Sequence, residues 1–293
     1  MDIANLKAFY QVAISGNFSK AASELFVSQP VLSRQVAALE KELDLQLFYR
    51  QARHVILTDA GRRLFKYAEK IISLTNEAEI EMLELKDLTT GELSLGASTT
   101  IANYLLPPVL AKYRNNNPGI NLSLKVANTA QIEQMVLENK VDIGLIAGNI
   151  ETLGLFQEQF AEDELFLVVP NKHIFAEVPH ITSKQLNQET FLCREAGSDT
   201  QRLLNSLLES HGVVPNQKII LGDTEAIKRS VINNMGIAFL SKYTFQYELT
   251  LGLLKTIEAL KMCRPLMLIY AKGARLSPAA LLFASLIKKV HIA

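Results

Sequence analysis

Close to Gly91 the hydrophobic pattern of this 293-residue chain changes period, and that change bounds what it can fold into. Before it, apolar residues recur at helical spacing. After it, runs such as "ELSLGA", "NLSLKVA" and "VDIGLIAG" alternate with helix-like stretches. A helix buries a stripe stepped by three and four residues, whereas strand–helix alternation builds a sheet with helices on its faces. The chain is therefore expected to be α+β overall, with a helical part and a separate α/β part. At 48% hydrophobic and 20% charged, it has material for two or three domains.

In the helical part, Leu6, Phe9, Tyr10 and Ala13 keep helical spacing and Gly16 stands where a helix would stop, which predicts a first helix over 3–15. Ser19 is expected to cap a second helix running to about Leu25, whose Ala21 and Ala22 leave room for another helix to cross closely. Ser28 caps a third helix that tolerates Pro30 in its first turn and runs to about Leu43. Leu32, Val36, Leu39 and Leu43 form its apolar stripe, and Gln29, Pro30, Ser33, Arg34 and Ala37 fall on a largely opposite face. A helix-turn-helix needs one face clamped and one short polar face free to enter a major groove. Gln and Arg suit base edges, and Ser with the helix N-terminus suits phosphate. The same spacing also fits an ordinary three-helix bundle with a solvated polar face. The segment "LFYRQARHVILT" predicts a strand near Phe48, a turn at Gln51–Ala52 and a strand at 54–57, with Arg50, Arg53 and His54 clustered on a basic wing that would grip flanking phosphates.

The stretch "FSKAASELFVSQPVLSRQVAALEKELDLQLFYRQARHVILTDAG" resembles the winged helix-turn-helix of the LysR-type transcriptional regulators, through its "SQP…SRQ…LE" and "LF.R…R.V.LT.AG" patterns. The rest of the chain follows the family plan. The resemblance implies sequence-specific binding of double-stranded operator or promoter DNA, with Ser28, Gln29, Pro30, Ser33 and Arg34 at the groove and Arg50, Arg53 and His54 on the wing. It further implies self-association as a dimer and tetramer, RNA polymerase as a further partner, and a small-molecule effector. Local charge agrees in sign: residues 1–66 hold nine basic against six acidic side chains, although the whole chain balances thirty against thirty.

From Thr58 a long linker helix is predicted to end before Gly91. Leu64, Ile71, Ala78 and Leu85 repeat every seven residues, with Ala68, Thr75 and Met82 one turn on and Glu81 interrupting the row; such a seam suits a helix that pairs with a second copy, and also a helix packed on its own domain. The expected organisation is a DNA-binding domain over 1–58, a dimerisation helix over 59–90 and a regulatory domain over 91–293.

That regulatory domain reads as a parallel, doubly wound sheet folded into two lobes, about 91–160 with 266–293 and about 161–265, in the manner of periplasmic binding proteins. Ligands in such sheets bind where strands end and helices begin. Ser98, Thr99 and Thr100 follow one strand, Asn128 and Thr129 a second, and Arg194, Ser198 and Thr200 a third, so three helix starts converge on one small effector, a carboxylate or inorganic oxyanion. Each of these residues taken alone also reads as a plain helix cap.

Other classes find little in the sequence. Cys193 and Cys263 form no CxxC or His/Cys cluster, so neither a disulfide framework nor a metal site is expected. GxSxG, HExxH, GxxxxGK[ST] and GxGxxG are all missing, so no catalytic residues and no cofactor are expected. The start "MDIANLKAFYQVA" lacks a cationic segment before an apolar run, and no apolar stretch is long enough for a bilayer, which points to the cytoplasm and away from an exported solute-binding protein.

Overall fold

The computed structural model describes residues 1–50, 55–84, 90–150, 152–178 and 180–289. The chain divides into two compact units, one built mainly on residues 1–87 and the other mainly on 88–293.

The first unit opens with α1 (Ile3–Ser15), α2 (Phe18–Glu24) and α3 (Gln29–Leu43), followed by the antiparallel pair β1 (Phe48–Arg50) and β2 (Val55–Leu57) and the long helix α4 (Asp59–Glu84). Gly16 ends α1 in the left-handed conformation, as its position predicts. Asn17, not Ser19, caps α2: its carboxamide oxygen accepts the Ser19 and Lys20 amides at 2.8 and 3.1 Å, which starts the helix one residue before Ser19. Ser28 occupies the cap position of α3, but its hydroxyl makes no capping bond. Ala21 and Ala22 are buried where α2 crosses its neighbours, and Leu32, Val36 and Leu39 face the same core. Phe48 closes that core, with its ring centroid 5.2 Å from Phe9 and 6.0 Å from Phe18.

Two polar joints fix the wing strands. Glu40 Oε1 accepts the Leu47 and Phe48 amides at 2.8 and 3.3 Å, tying the end of α3 to β1. Thr58 donates its hydroxyl to the Gln46 carbonyl at 2.7 Å and accepts the Gly61 amide at 3.0 Å, capping α4. A Cβ on Gly61 would lie 2.2 Å from the Leu47 carbonyl oxygen, so only glycine lets α4 leave the wing at this distance.

The first half of α4 does not offer the seam expected of it. Leu64, Phe65, Ala68 and Ile71 pack on their own unit's core, and the Phe65 ring stacks 5.1 Å from Tyr10. Among the described side chains of α4, the large apolar ones left exposed are Tyr67, Leu74 and Met82, with Ala78 also exposed. Leu85 lies outside the described residues.

The second unit contains β3 (Gly91–Ser98), a π-turn (Ile101–Leu105) running into α5 (Leu106–Asn116), β4 (Ile120–Ala127), α6 (Thr129–Leu137), β5 (Ile143–Ala147) and β6 (Leu155–Pro170). After these come α7 (Ser183–Asn187), β7 (Thr190–Cys193), α8 (Asp199–Ser210), β8 (Gln217–Ile220), α9 (Thr224–Ile232), β9 (Ile237–Ser241), α10 (Gln246–Thr250), β10 (Leu254–Ala271) and α11 (Pro278–Lys289). All eight strands form one sheet in the order β4-β3-β5-β10-β6-β9-β7-β8.

The sheet is not wholly parallel, as its sequence suggested. Strands β3 to β5 are parallel to one another, and so are β7 to β9, but β6 and β10 run antiparallel to each other and to their outer neighbours. These two are sixteen and eighteen residues long. Strand β5 pairs with Leu266–Ile269 of β10, and β9 pairs with Leu165–Val168 of β6, so each long strand serves both halves. The register slips by one residue opposite Leu266 and Met267, where the ladder passes from one half to the other. Among the described residues no helix is long and apolar enough to cross a membrane.

Candidate functional site

Two surfaces carry the residues singled out from the sequence. On α3, Gln29, Pro30 and Arg34 are exposed and Ser33 is partly exposed, while the opposite stripe is buried. Ser28, exposed just before the helix, sits where its unpaired N–H groups begin. Arg34 rests against its own helix, its Nε donating to the Pro30 carbonyl at 3.3 Å. Arg53, His54 and the Arg50 side chain lie outside the described residues, as does the turn at Gln51–Ala52.

The second surface is a cleft in the α/β unit. Ser98, Thr99, Thr100, Asn128, Thr129, Arg194, Ser198 and Thr200 all line it, joined by Ala147, Asp199 and Arg264. The cleft is small, polar and open to solvent at its mouth. Ser98 ends β3, Asn128 precedes α6 and Ser198 precedes α8, so the convergence comes from the ends of parallel strands meeting the starts of helices.

The polar atoms there differ in what they already do. Asn128 is a cap: its Oδ1 accepts the Gln131 amide at 3.1 Å, and Gln131 Oε1 accepts the Asn128 amide at 3.3 Å. The Ser198 hydroxyl makes no capping bond at the start of α8, nor does that of Thr100 at the π-turn. Ser98 Oγ is buried with no hydrogen-bond partner, a costly arrangement for a hydroxyl. Both guanidiniums arrive paired. Arg194 holds Glu195 in a two-pronged bond at 2.9 and 3.0 Å and donates to Thr224 Oγ1 at 2.7 Å. Burial pushes the Glu195 carboxyl up, but these bonds outweigh it and hold the group below the usual carboxylate range.

Arg264, Asp199 and Ala147 are cleft residues that sequence reasoning passed over. Arg264 is 3% exposed and grips Asp163, which is 0% exposed, at 2.9 and 2.8 Å. It reaches Asp199 and Thr200 Oγ1, each at 3.1 Å. Asp163 also accepts from Ser241 at 2.7 Å, and Asp199 from Arg202 at 2.9 Å. An arginine inside the apolar strand "CRPLML" was the available signal, since a cation in a sheet interior demands a partner.

Contacts also cross the cleft. The Ala130 amide of α6 donates to the Gly197 carbonyl at 3.2 Å, and Asn128 Nδ2 to the Ala196 carbonyl at 3.4 Å. Gly197 has φ +87°, and a Cβ there would stand 3.2 Å from both Ala130 Cβ and Asn128 Oδ1. Backbone and side chain meet across the cleft only because this residue is glycine.

A DNA-reading helical unit joined to an α/β unit with a small polar cleft defines a ligand-responsive transcription factor. Residues 3–62 match the family of bacterial regulatory helix-turn-helix proteins of the lysR type, residues 86–291 match the LysR substrate binding domain, and the chain belongs to the LysR family of transcriptional regulators. It is 35% identical to the HTH-type transcriptional regulator CysL of Bacillus subtilis over 83% of this chain and 82% of that protein. It is 33% identical to the RuBisCO operon transcriptional regulator of Allochromatium vinosum over 96% of this chain and 93% of that one. Among solved structures, the regulatory domain of CcmR from Synechocystis PCC6803, in complex with 2-PG, matches 68% of this chain and 96% of its own with a TM-score of 0.63 and 29% identity. Full-length OxyR C199D from Pseudomonas aeruginosa shares the fold over 98% of this chain and 99% of its own, with a TM-score of 0.59 and 22% identity.

The buried pair at the cleft floor has a measurable cost of disruption. Arg264→Met should destabilise the α/β unit by about 3–5 kcal/mol, because it strands the Asp163 carboxylate away from water. Arg264→Met combined with Asp163→Leu should recover most of the loss, as read by denaturant unfolding. Equal unfolding midpoints for the single and double variants would contradict this account.

Proposed function

We propose that this regulator is switched by a small anion held in the cleft between the ends of β3 and β4 and the start of α8. The observation that carries the reading is Ser98 Oγ, buried, unpartnered and set among Thr100, Thr129 and Ser198. Helix starts supply unpaired N–H groups and a positive dipole end, and hydroxyls add directed donors without net charge. Because Arg194 and Arg264 are already neutralised by carboxylates, recognition rests on these neutral donors. A carboxylate or an inorganic oxyanion of few atoms fits such a set, and a relative whose regulatory domain is known in complex with 2-PG supports a small ligand here too.

The cleft binds and does not catalyse: its acid, Asp199, is held between Arg202 and Arg264 and is not free to act as a base. No cofactor is required by this reading. The regulator acts in the cytoplasm, on operator DNA, and reaches transcription through RNA polymerase.

Ser98→Ala should leave the ligand-free protein at least as stable as the parent, since no internal bond is lost and an unpartnered buried hydroxyl is removed, while weakening the bound anion by about 1–2 kcal/mol. Calorimetric titration of the full chain with phosphate, sulfate, small carboxylates and 2-PG tests this. An affinity equal to that of the parent protein for whichever probe binds would place the anion elsewhere.

For DNA, Gln29 and Arg34 read base edges from α3, whereas Ser28, Ser33 and the wing residues Arg50, Arg53 and His54 hold phosphates. Arg34→Ala should cost about 1–3 kcal/mol on the cognate operator and relax preference at one base pair. If cognate and scrambled duplexes lose affinity by the same factor, Arg34 contacts only the backbone.

For self-association as a dimer, and of dimers into a tetramer, the surface this reading assigns to the first step is the exposed apolar face of α4. With Leu64 and Ile71 committed to their own core, that face carries, among the described residues, Tyr67, Leu74 and Met82. Leu74→Asp should give folded monomers in sedimentation at low micromolar concentration, while Ile71→Asp should lower the melting temperature of the DNA-binding unit itself. A dimer that survives Leu74→Asp would exclude this face.

A further inference from the structure

The helical stretch that begins at Thr99 does not continue as a regular α-helix. Residues Ile101–Leu105 form a π-turn, in which the Leu106 amide donates to the Ile101 carbonyl. Such turns hold one extra residue, are uncommon and gather at functional positions. They also re-aim every side chain that follows relative to those before.

Tyr104 lies within this turn. Its hydroxyl donates to Glu225 Oε1 in the first turn of α9. The buried Lys228 ammonium stands 5.7 Å over its ring. Lys228 is itself held by Glu225 at 2.7 Å, Glu248 at 2.8 Å and the Thr244 carbonyl at 2.8 Å, so Glu225 cannot swing freely. The residue before Glu225 is Thr224, which accepts from Arg194. A connected path thus runs from Thr100 through the π-turn, Tyr104, Glu225 and Thr224 to Arg194. Both of its ends line the cleft, while Tyr104 and Glu225 do not. Burial, reinforced by the bond to Glu225, pushes the Tyr104 hydroxyl far above its ordinary range, so it stays a donor throughout the physiological pH range.

We propose that Tyr104 is a positioning residue for ligand binding: through Glu225 it sets the separation at which Ser98 and Thr100 from one half, and Ser198 from the other, reach one small anion. Where it concerns the ligand, this rests on the cleft being the effector site; where it concerns the latch, it stands on the protein's own contacts. Tyr104→Phe removes the hydroxyl and keeps the ring beneath Lys228.

The Ala130 amide, bonded to the Gly197 carbonyl across the cleft, reports the separation without any ligand. Hydrogen exchange followed amide by amide in the full chain should show Ala130 exchanging at least about tenfold faster in Tyr104→Phe, with the amides of Ile143–Ala147 unchanged. Glu225→Ala should behave alike, and Glu225→Gln, which keeps an acceptor oxygen, should stay within about twofold of the parent. With inorganic phosphate as the probe, Tyr104→Phe should weaken binding about five- to tenfold. Unchanged exchange at Ala130, a uniform rise at every amide, or equal phosphate affinity would each overturn the proposal. If the parent protein does not bind phosphate, the reading of the cleft as a site for this anion fails, and exchange alone decides whether Tyr104 sets the separation.

Discussion

Asp163 and Arg264 face each other as register partners on β6 and β10, the two strands that pass through both halves of the sheet, and both are buried. Burying both charges is expensive and is offset only while each finds the other and its further partners. A slip of β10 by one residue would send Arg264 to the opposite face of the sheet and leave Asp163 unpaired, so the pair penalises every register but one. The rest follows from that register: β5 meets Leu266–Ile269, β9 meets Leu165–Val168, and Asp199 is drawn by Arg264 to the cleft floor at the start of α8.

Much of this was legible from residues alone, and the failures have physical causes. The inner short strands show in the sequence as compact apolar runs because they are buried, as in "VDIGLIAG", where Ile143–Ala147 is buried throughout. The long strands were seen only in part. Leu155–Asp163 and Leu254–Cys263 carry Gln, Glu, Lys and Thr among their apolar residues, and a strand solvated along part of its length loses the signal that periodicity offers. Their antiparallel direction was hidden as well, since strand–helix alternation does not reveal that two partners lie a hundred residues apart.

The site was legible to a different degree. Ser98, Asn128 and Ser198 stand at strand ends before helices, a local grammar that a sequence displays directly. Whether a hydroxyl caps its helix or stays unspent is not local: Asn128 caps, and Ser98 and Ser198 do not. The α4 seam shows the same limit in the first unit. Heptad spacing gave Leu64 and Ile71 an apolar face, but the face needed a partner, and Tyr10 with the helical core supplied one from within the chain.

The place of β10 between β5 and β6 also has a consequence in time. Strands β3, β4 and β5 and helices α5 and α6 are made early, yet their sheet stays unfinished on one side until Leu266–Ile269 have left the ribosome. Tyr113 of α5 likewise waits for Ala279, whose carbonyl accepts its hydroxyl at 2.8 Å, and for Phe283. The helical unit can condense while synthesis continues, whereas the first half of the regulatory unit must wait, partly formed, through more than a hundred residues of elongation. At ordinary rates of synthesis that wait lasts roughly 5–30 s, during which an open strand edge at β5 is the segment most in need of shielding by chaperones.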